Sequence, residues 1–295
     1  MDTEWKGKSK GNVLGYRIFV FLIKNLGLSS AYFLLYFVAT YYCFFSKNST
    51  TSMYYYYRKR RRYSNLKTIC SIYKSYYIFG QTIIDRVAVS SGLRKNFTYD
   101  FDGIDNIKKV INKKQGGILL SAHVGNFEMA RCFFTEIDKN KTIHFLTSDD
   151  ERTAIKNYLE SVTSKSRIKY IYISDDLSHI FEIKAALSRN EIICMTGDRY
   201  TENSKYLIQT LLGKEARFPA GPFHLASKFK VSLLFVYVMK ESNLHYHLYA
   251  RKANIIQNDA IALLKLYTEN LEWILSKYPL QWFNYFNFWN SYKNQ

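Results

Sequence analysis

His123 and Glu128 are the two residues whose types and spacing could do chemistry together. A neutral imidazole is the usual general base near pH 7. A carboxylate on its other ring nitrogen fixes the tautomer and stabilises the imidazolium, the logic of a Ser-His-Asp arrangement. No serine nucleophile is needed if the substrate brings its own hydroxyl, whose proton His123 would take. Alone the pair is a weak signal. A histidine capping a strand and a glutamate in a helix's first turn, favoured there by the dipole, have the same spacing. The surroundings strengthen it. Gly116-Gly117 and the apolar run Ile118 to Ala122 read as a buried strand, with His123 at its C-terminal end. Gly125 and Asn126 permit a tight turn, and the residues from Phe127 suit a helix packed back on the sheet. In open α/β sheets that edge is where ligands bind.

Two further stretches carry candidate residues. Asp198 and Arg199 follow the strand Ile192–Met195, and read either as a strand-end salt bridge or as part of the site. Pro219-Ala220-Gly221-Pro222 opens a helix with exposed backbone N–H groups, a phosphate cradle or simply a helix N-terminus. Arg217, two residues upstream, could pair with phosphate bidentately. His224 falls on that helix and reads as packing. His144, His179, His245 and His247 carry no site signal, and no metal-ligand set is apparent.

These residues need a scaffold, and the chain supplies β/α alternation from about residue 96. Strands are expected at Gly117–Ala122, Thr142–Leu146, Ile168–Ile173, Ile192–Met195, Val231–Met239 and Leu244–Ala250, the last two joined by a short hairpin at Lys240–Asn243. Helices are expected at Phe127–Ile137, Glu151–Ser161, Leu177–Ser188, Pro219–Lys228 and about Asp259 to Lys277. This is an α/β fold, a mixed sheet with helices on both faces.

Residues 1–95 read as a separate helical region and 96–295 as the α/β domain. Leu26 to Phe45 is a run of 20 residues without a charge, about the length of a bilayer-spanning helix. Both flanks are basic, so charge gives no orientation. The run reads as a membrane anchor lying in or dipping into the cytoplasmic leaflet; a spanning helix and a buried core helix are the alternatives. The following Tyr54–Tyr63 interleaves tyrosines with Arg58, Lys59, Arg60, Arg61 and Arg62. Contact with anionic lipid is favoured over a solvated helix face and over nucleic acid, because no nucleic-acid motif surrounds it. A helix over Leu66–Val89 ends at Ser90-Ser91-Gly92. The 295 residues carry 42 Lys and Arg against 24 Asp and Glu, a formal charge of +18, which calls for anionic partners. Tyr, Phe and Trp make up 17%, which suits an interfacial protein. Cys43, Cys70, Cys132 and Cys194 are scattered, as in a reducing compartment, and no secretory signal is evident.

His123-Val124-Gly125-Asn126-Phe127-Glu128 resembles the His-x4-Asp/Glu motif of glycerolipid-type acyltransferases, and is most similar to the late lipid A (lauroyl/myristoyl) branch. Thr196-Gly197-Asp198-Arg199 resembles that branch's second block, Arg217 to Ala226 its Pro-x-Gly-Pro segment, and Tyr278 to Asn284 its Pro-x-Gln-Trp ending. Four blocks in the family's order are more specific than any one. The resemblance implies a glycerolipid-acyltransferase-like fold. The implied activity is transfer of a fatty acyl chain from acyl-carrier protein, or coenzyme A, to a hydroxyl of a membrane glycolipid. In that reading His123 is the base, Glu128 orients it, and the Gly125 or Asn126 amides stabilise the oxyanion. Asp198 joins the site, with Arg199, Arg217 and Gly221 as substrate contacts. The resemblance further implies a bacterial inner-membrane protein with its catalytic domain on the cytoplasmic side, and no metal or redox cofactor. Other acceptors (a lysophospholipid, an aminolipid, a polyene pigment) remain alternatives, with a non-enzymatic membrane or nucleic-acid binder as a more distant one. Two departures from the pattern stand out: Ala220 replaces the glutamate of the broader glycerol-phosphate enzymes, and Asn284-Tyr285-Phe286-Asn287 stands where many members carry a basic Arg-Arg or Arg-Phe pair.

Overall fold

The structure, a computed structural model, describes residues 13–130, 137–138, 141–148, 168–174, 176–200, 204–254 and 257–289. The helix expected over 151–161, most of that over 127–137, and Cys132 lie outside them. The described strands are β1 (Thr98–Asp102), β2 (Gly117–Ser121), β3 (Ile143–Ser148), β4 (Ile168–Ile173), β5 (Ile192–Thr196), β6 (Tyr206–Leu211), β7 (Lys214–Pro219), β8 (Ser232–Lys240) and β9 (His245–Lys252). Seven form one mixed sheet in the order β1-β9-β8-β2-β5-β3-β4, and β6 pairs with β7 alone. β2 lies near the centre, parallel to both β5 and β8. All five of its residues are buried, which explains an unbroken apolar run in place of alternation. β8 and β9 form the expected antiparallel hairpin.

All six strands expected from the sequence are present, and three more join them. β1 is a polar edge strand, Thr-Tyr-Asp-Phe-Asp, parallel to β9. Its two aspartates are poor strand formers, so composition hides it. The β6–β7 hairpin turns on Leu212-Gly213, both at positive φ (50° and 76°). Such two-residue turns are usually announced by Asn-Gly or Asp-Gly, and a leucine in the first position masks the signal.

The helices are α1 (Val13–Leu26), α2 (Leu28–Phe45), α3 (Lys47–Tyr55), α4 (Asn65–Ser90), α5 (Ile104–Asn112), α6 (Ser178–Ser188), α7 (Ala220–Lys228) and α8 (Ala260–Lys277). Ser64 caps α4 and Asp259 caps α8 through side-chain oxygens that accept the amides of Lys67 and Ala262. Alternate residues of the central strands feed two cores. Ile118, Leu120, Ile193, Met195, Phe235 and Tyr237 pack with α6, α7 and α8. Leu119, Cys194, Leu234, Val236 and Val238 pack with α1, α2 and α5. α4 serves both: Ile72 and Tyr76 join the first core, Ile84 and Val87 the second. The N-terminal helices therefore share their cores with the sheet.

α2 buries only one face, Ala31, Tyr32, Leu35 and Ala39. Phe33, Tyr36, Phe37, Tyr41, Phe44 and Phe45 are exposed on the rest. It is therefore not a buried core helix, and it is long and apolar enough to cross a membrane. The tyrosine-rich stretch is divided too. Tyr56 and Tyr57 are buried in a π-helical turn, Tyr56–Arg60, with Tyr56 against Trp282 and Trp289, while Arg58 and Lys59 face solvent.

Candidate active site

The register of the sheet builds the site. Ser121 of β2 is level with Thr196 of β5 in a parallel pair. Two residues further along each chain, His123 and Asp198 therefore meet at the carboxyl edge. His123 Nδ1 lies 2.7 Å from Asp198 Oδ1, and the His123 backbone N–H donates to both carboxylate oxygens at 3.1 and 3.0 Å. Trp282 Nε1 donates to Oδ2 at 3.2 Å. Asp198 is fully buried, whereas the His123 side chain is 30% exposed. Burial pushes the Asp198 carboxyl up, but the His123 ring and amide, with Arg199 nearby, outweigh it and hold its pKa below the usual carboxylate range. Asp198 is thus ionised at neutral pH and aimed at the imidazole. The carboxylate on Nδ1 is Asp198. A partner in the neighbouring strand needs no loop to bend back. Glu128 lies in a short 3-10 turn, Phe127–Met129, and its side chain is outside the described residues.

The last block clamps the loop that carries His123. Val124 bridges Trp282 antiparallel, and the Phe283 amide donates to His123 O at 2.9 Å. The Gly125 amide donates to Gln281 O at 2.8 Å and the Asn126 amide to Val238 O at 2.7 Å. Both amides are therefore committed to the backbone, which corrects their assignment as oxyanion donors. Gly125 and Asn126 instead shape the turn. Asn126 is buried, and its side-chain amide donates to Thr82 O of α4 at 2.9 Å. Gly125 sits at φ 58°, and a Cβ there would stand 2.1 Å from Val238 O. Gly125→Ala is expected to destabilise the fold by about 2–4 kcal/mol through left-handed strain and overpacking, and to disable the loop. Thermal unfolding by circular dichroism beside an activity assay checks this, and an unchanged melting temperature would refute it.

Arg199 Nη2 donates to Phe283 O at 2.9 Å, so it ties the second block to the last. The third block supports the second from below: Phe223 is fully buried, and with Tyr267 it presses so closely on Gly197 that a Cβ there would come within 2.9 Å of the Phe223 ring. Arg217 lies on β7 with its guanidinium 4.4 Å from the Tyr206 ring centroid, and Gly221 is exposed in the first turn of α7. The Ala220 amide donates to Lys205 O, which removes one N–H from the cradle expected there. Asn284 is 7% exposed, and its amide has no partner among the described residues. Trp282, the indole on Asp198, is a site residue that the sequence reading passes over, although the Gln-Trp pair of the last block signals it. Among the described residues no three His, Cys, Asp or Glu side chains cluster as a metal site.

An imidazole held by a buried carboxylate at the carboxyl edge of an α/β sheet is an arrangement able to move a proton on and off a hydroxyl group, a class of chemistry shared by many enzymes. Sequence comparison narrows the class. The chain belongs to the bacterial lipid A biosynthesis acyltransferase family, whose family model matches residues 58–291. It is an acyltransferase of that family. No curated protein matches the chain.

Proposed function

We propose that this protein transfers a fatty acyl chain from acyl-carrier protein to a hydroxyl of a membrane glycolipid, a lipid A precursor, with His123 as general base. The observation that carries the reading is the His123 ring held at Nδ1 by buried, ionised Asp198. With Asp198 on Nδ1, Nε2 is the nitrogen that takes the hydroxyl proton in this reading. The acceptor oxygen attacks the thioester carbonyl carbon, the carbon–sulfur bond breaks, and the imidazolium returns its proton to the departing thiolate. No acyl-enzyme forms and no metal or redox cofactor takes part. Glu128 remains in this reading as a second carboxylate of the catalytic loop, and Arg199, Arg217 and Gly221 as substrate contacts.

The net charge of +18 suits an acidic carrier protein and an anionic membrane surface. The exposed aromatic face of α2 supports an anchor in the cytoplasmic leaflet of the inner membrane, because its opposite face is packed on the α/β fold. The test is mass spectrometry of lipid A and total lipid from cells lacking the gene, complemented with wild type or His123→Ala. Loss of one lipid A acyl chain, restored by wild type alone, is expected. Unchanged lipid A with another lipid deacylated would overturn the acceptor assignment. Full complementation by His123→Ala would overturn the base.

A further inference from the structure

α2 and α4 leave an open groove of about 480 Å³ between them, lined by Tyr36, Ile69, Cys70, Tyr73, Tyr77 and Lys74. Its volume lies in the range of small-molecule sites, about 300–1,000 Å³, and its walls are almost wholly apolar. A second hollow of about 280 Å³ shares Cys70 and Lys74 with it, and adds Lys67, Pro279 and Leu280. Three observations mark the pair as one path. First, the outer end is continuous with the exposed aromatic face of α2, since Tyr36 belongs to both. Second, the inner end reaches Pro279-Leu280, directly before Gln281, Trp282 and Phe283, which are hydrogen-bonded to the catalytic loop and to Asp198. Third, the charge in the path is of one sign. Lys67 sits 4.0 Å over the Tyr63 ring, and Lys74 has no hydrogen-bond or ion-pair partner among the described residues. No carboxylate lines either hollow.

We propose that this path is the acceptor site: one acyl chain of the anionic glycolipid lies in the α2–α4 groove, and Lys74 with Lys67 holds its anionic head group. The proposal rests on the acceptor class proposed above. An apolar groove open to the membrane face takes a chain without lifting it into water. Two lysines at the inner end stop the head group beside the segment that clamps His123. The donor, by contrast, arrives on a soluble carrier and has no need of a groove continuous with the anchor.

Two variants and one native reporter test it. Cys70→Trp fills the groove where the two hollows meet, and Lys74→Glu reverses its charge. Each is expected to raise the KM for a lipid A precursor about tenfold or more, the equivalent of one lost contact of 1.4 kcal/mol, with the acyl-carrier KM and kcat little changed. In the full-length wild type, alkylation of exposed Cys70 by a bulky maleimide, mapped by peptide mass spectrometry, is expected to slow in micelles of the precursor and not in micelles of dioleoylphosphatidylglycerol. Equal protection by both lipids would make the groove a general lipid contact and overturn the acceptor assignment. A rise in the acyl-carrier KM alone would give the groove to the donor chain. Unchanged kinetics in both variants would remove it from substrate binding. If wild type itself does not acylate the precursor, the functional reading fails, while the alkylation arm still reports whether the groove binds the lipid.

Discussion

His123→Ala is expected to lower acyl transfer by about 10²–10⁴-fold, the usual contribution of a positioned general base. The fold should persist, because the side chain is partly exposed and its structural hydrogen bonds are made by its backbone. Asp198→Asn is the sharper companion. Its amide keeps the shape of the carboxylate but not the charge, so the ring loses the partner that fixes its tautomer and stabilises its protonated form. A loss of the same order is expected, and the double variant should be little worse than either single one, since the two residues act as a unit. Initial rates with detergent-solubilised enzyme, beside a melting curve for each variant, measure this. Retention of a tenth or more of the rate in His123→Ala would remove the base. Glu128→Gln in the same series separates the two carboxylates. If it falls as far as Asp198→Asn, both act on the imidazole; if it stays near wild type, Asp198 alone orients the ring.

The second large effect concerns stability. Asp85 of α4 and Lys240 at the end of β8 form an ion pair inside the protein, with side chains 0% and 4% exposed. Tyr32 of α2 and Tyr246 of β9 both donate hydroxyls to Asp85, and Lys240 also reaches the Asn243 carbonyl. Burial pushes the Asp85 carboxyl up and the Lys240 ammonium down, each partly offset by the other. Asp85→Ala leaves the ammonium buried without its counter-ion and is expected to cost about 3–5 kcal/mol. That is a large part of the roughly 5–15 kcal/mol typical of a folded domain. Asp85→Leu combined with Lys240→Met should recover most of the loss, because the desolvation penalty of both charges disappears together. Equilibrium unfolding in urea measures all three proteins. A loss under about 1 kcal/mol in Asp85→Ala would mean that the pair holds nothing together. The network also reaches the site: Tyr246 lies 3.3 Å from the Asn126 side-chain amide, and Gln281 pairs with the backbone of Lys240. The helix carrying the exposed aromatic face and the loop carrying His123 are thus braced by one set of buried polar contacts.

Much of the site is legible in the order of the amino acids. The apolar run at Ile118–Ala122, the glycine at 125 and the order of the four blocks point to a strand-edge histidine in an α/β sheet. Gly125 is readable because the backbone passes so close to Val238 that no side chain fits. Hidden are the elements that composition disguises: the polar edge strand β1 and a hairpin turning on leucine. Tyr56 and Tyr57 mislead in the same way, since a tyrosine among arginines looks like surface and here fills the core.

The sequence by itself determined the fold class, the family and the place of the strand-edge histidine, because apolar periodicity and residue order along one stretch carry that information. Only the tertiary structure brought Asp198 to the imidazole and showed what the neighbouring amides do. Asp198 is 75 residues from His123 and arrives through the β2–β5 register. The Gly125 and Asn126 amides are taken by β8 and by the segment at Gln281, each distant along the chain. Hydrogen bonds between distant strands depend on register, and register is settled by packing of the whole sheet, which no local spacing encodes.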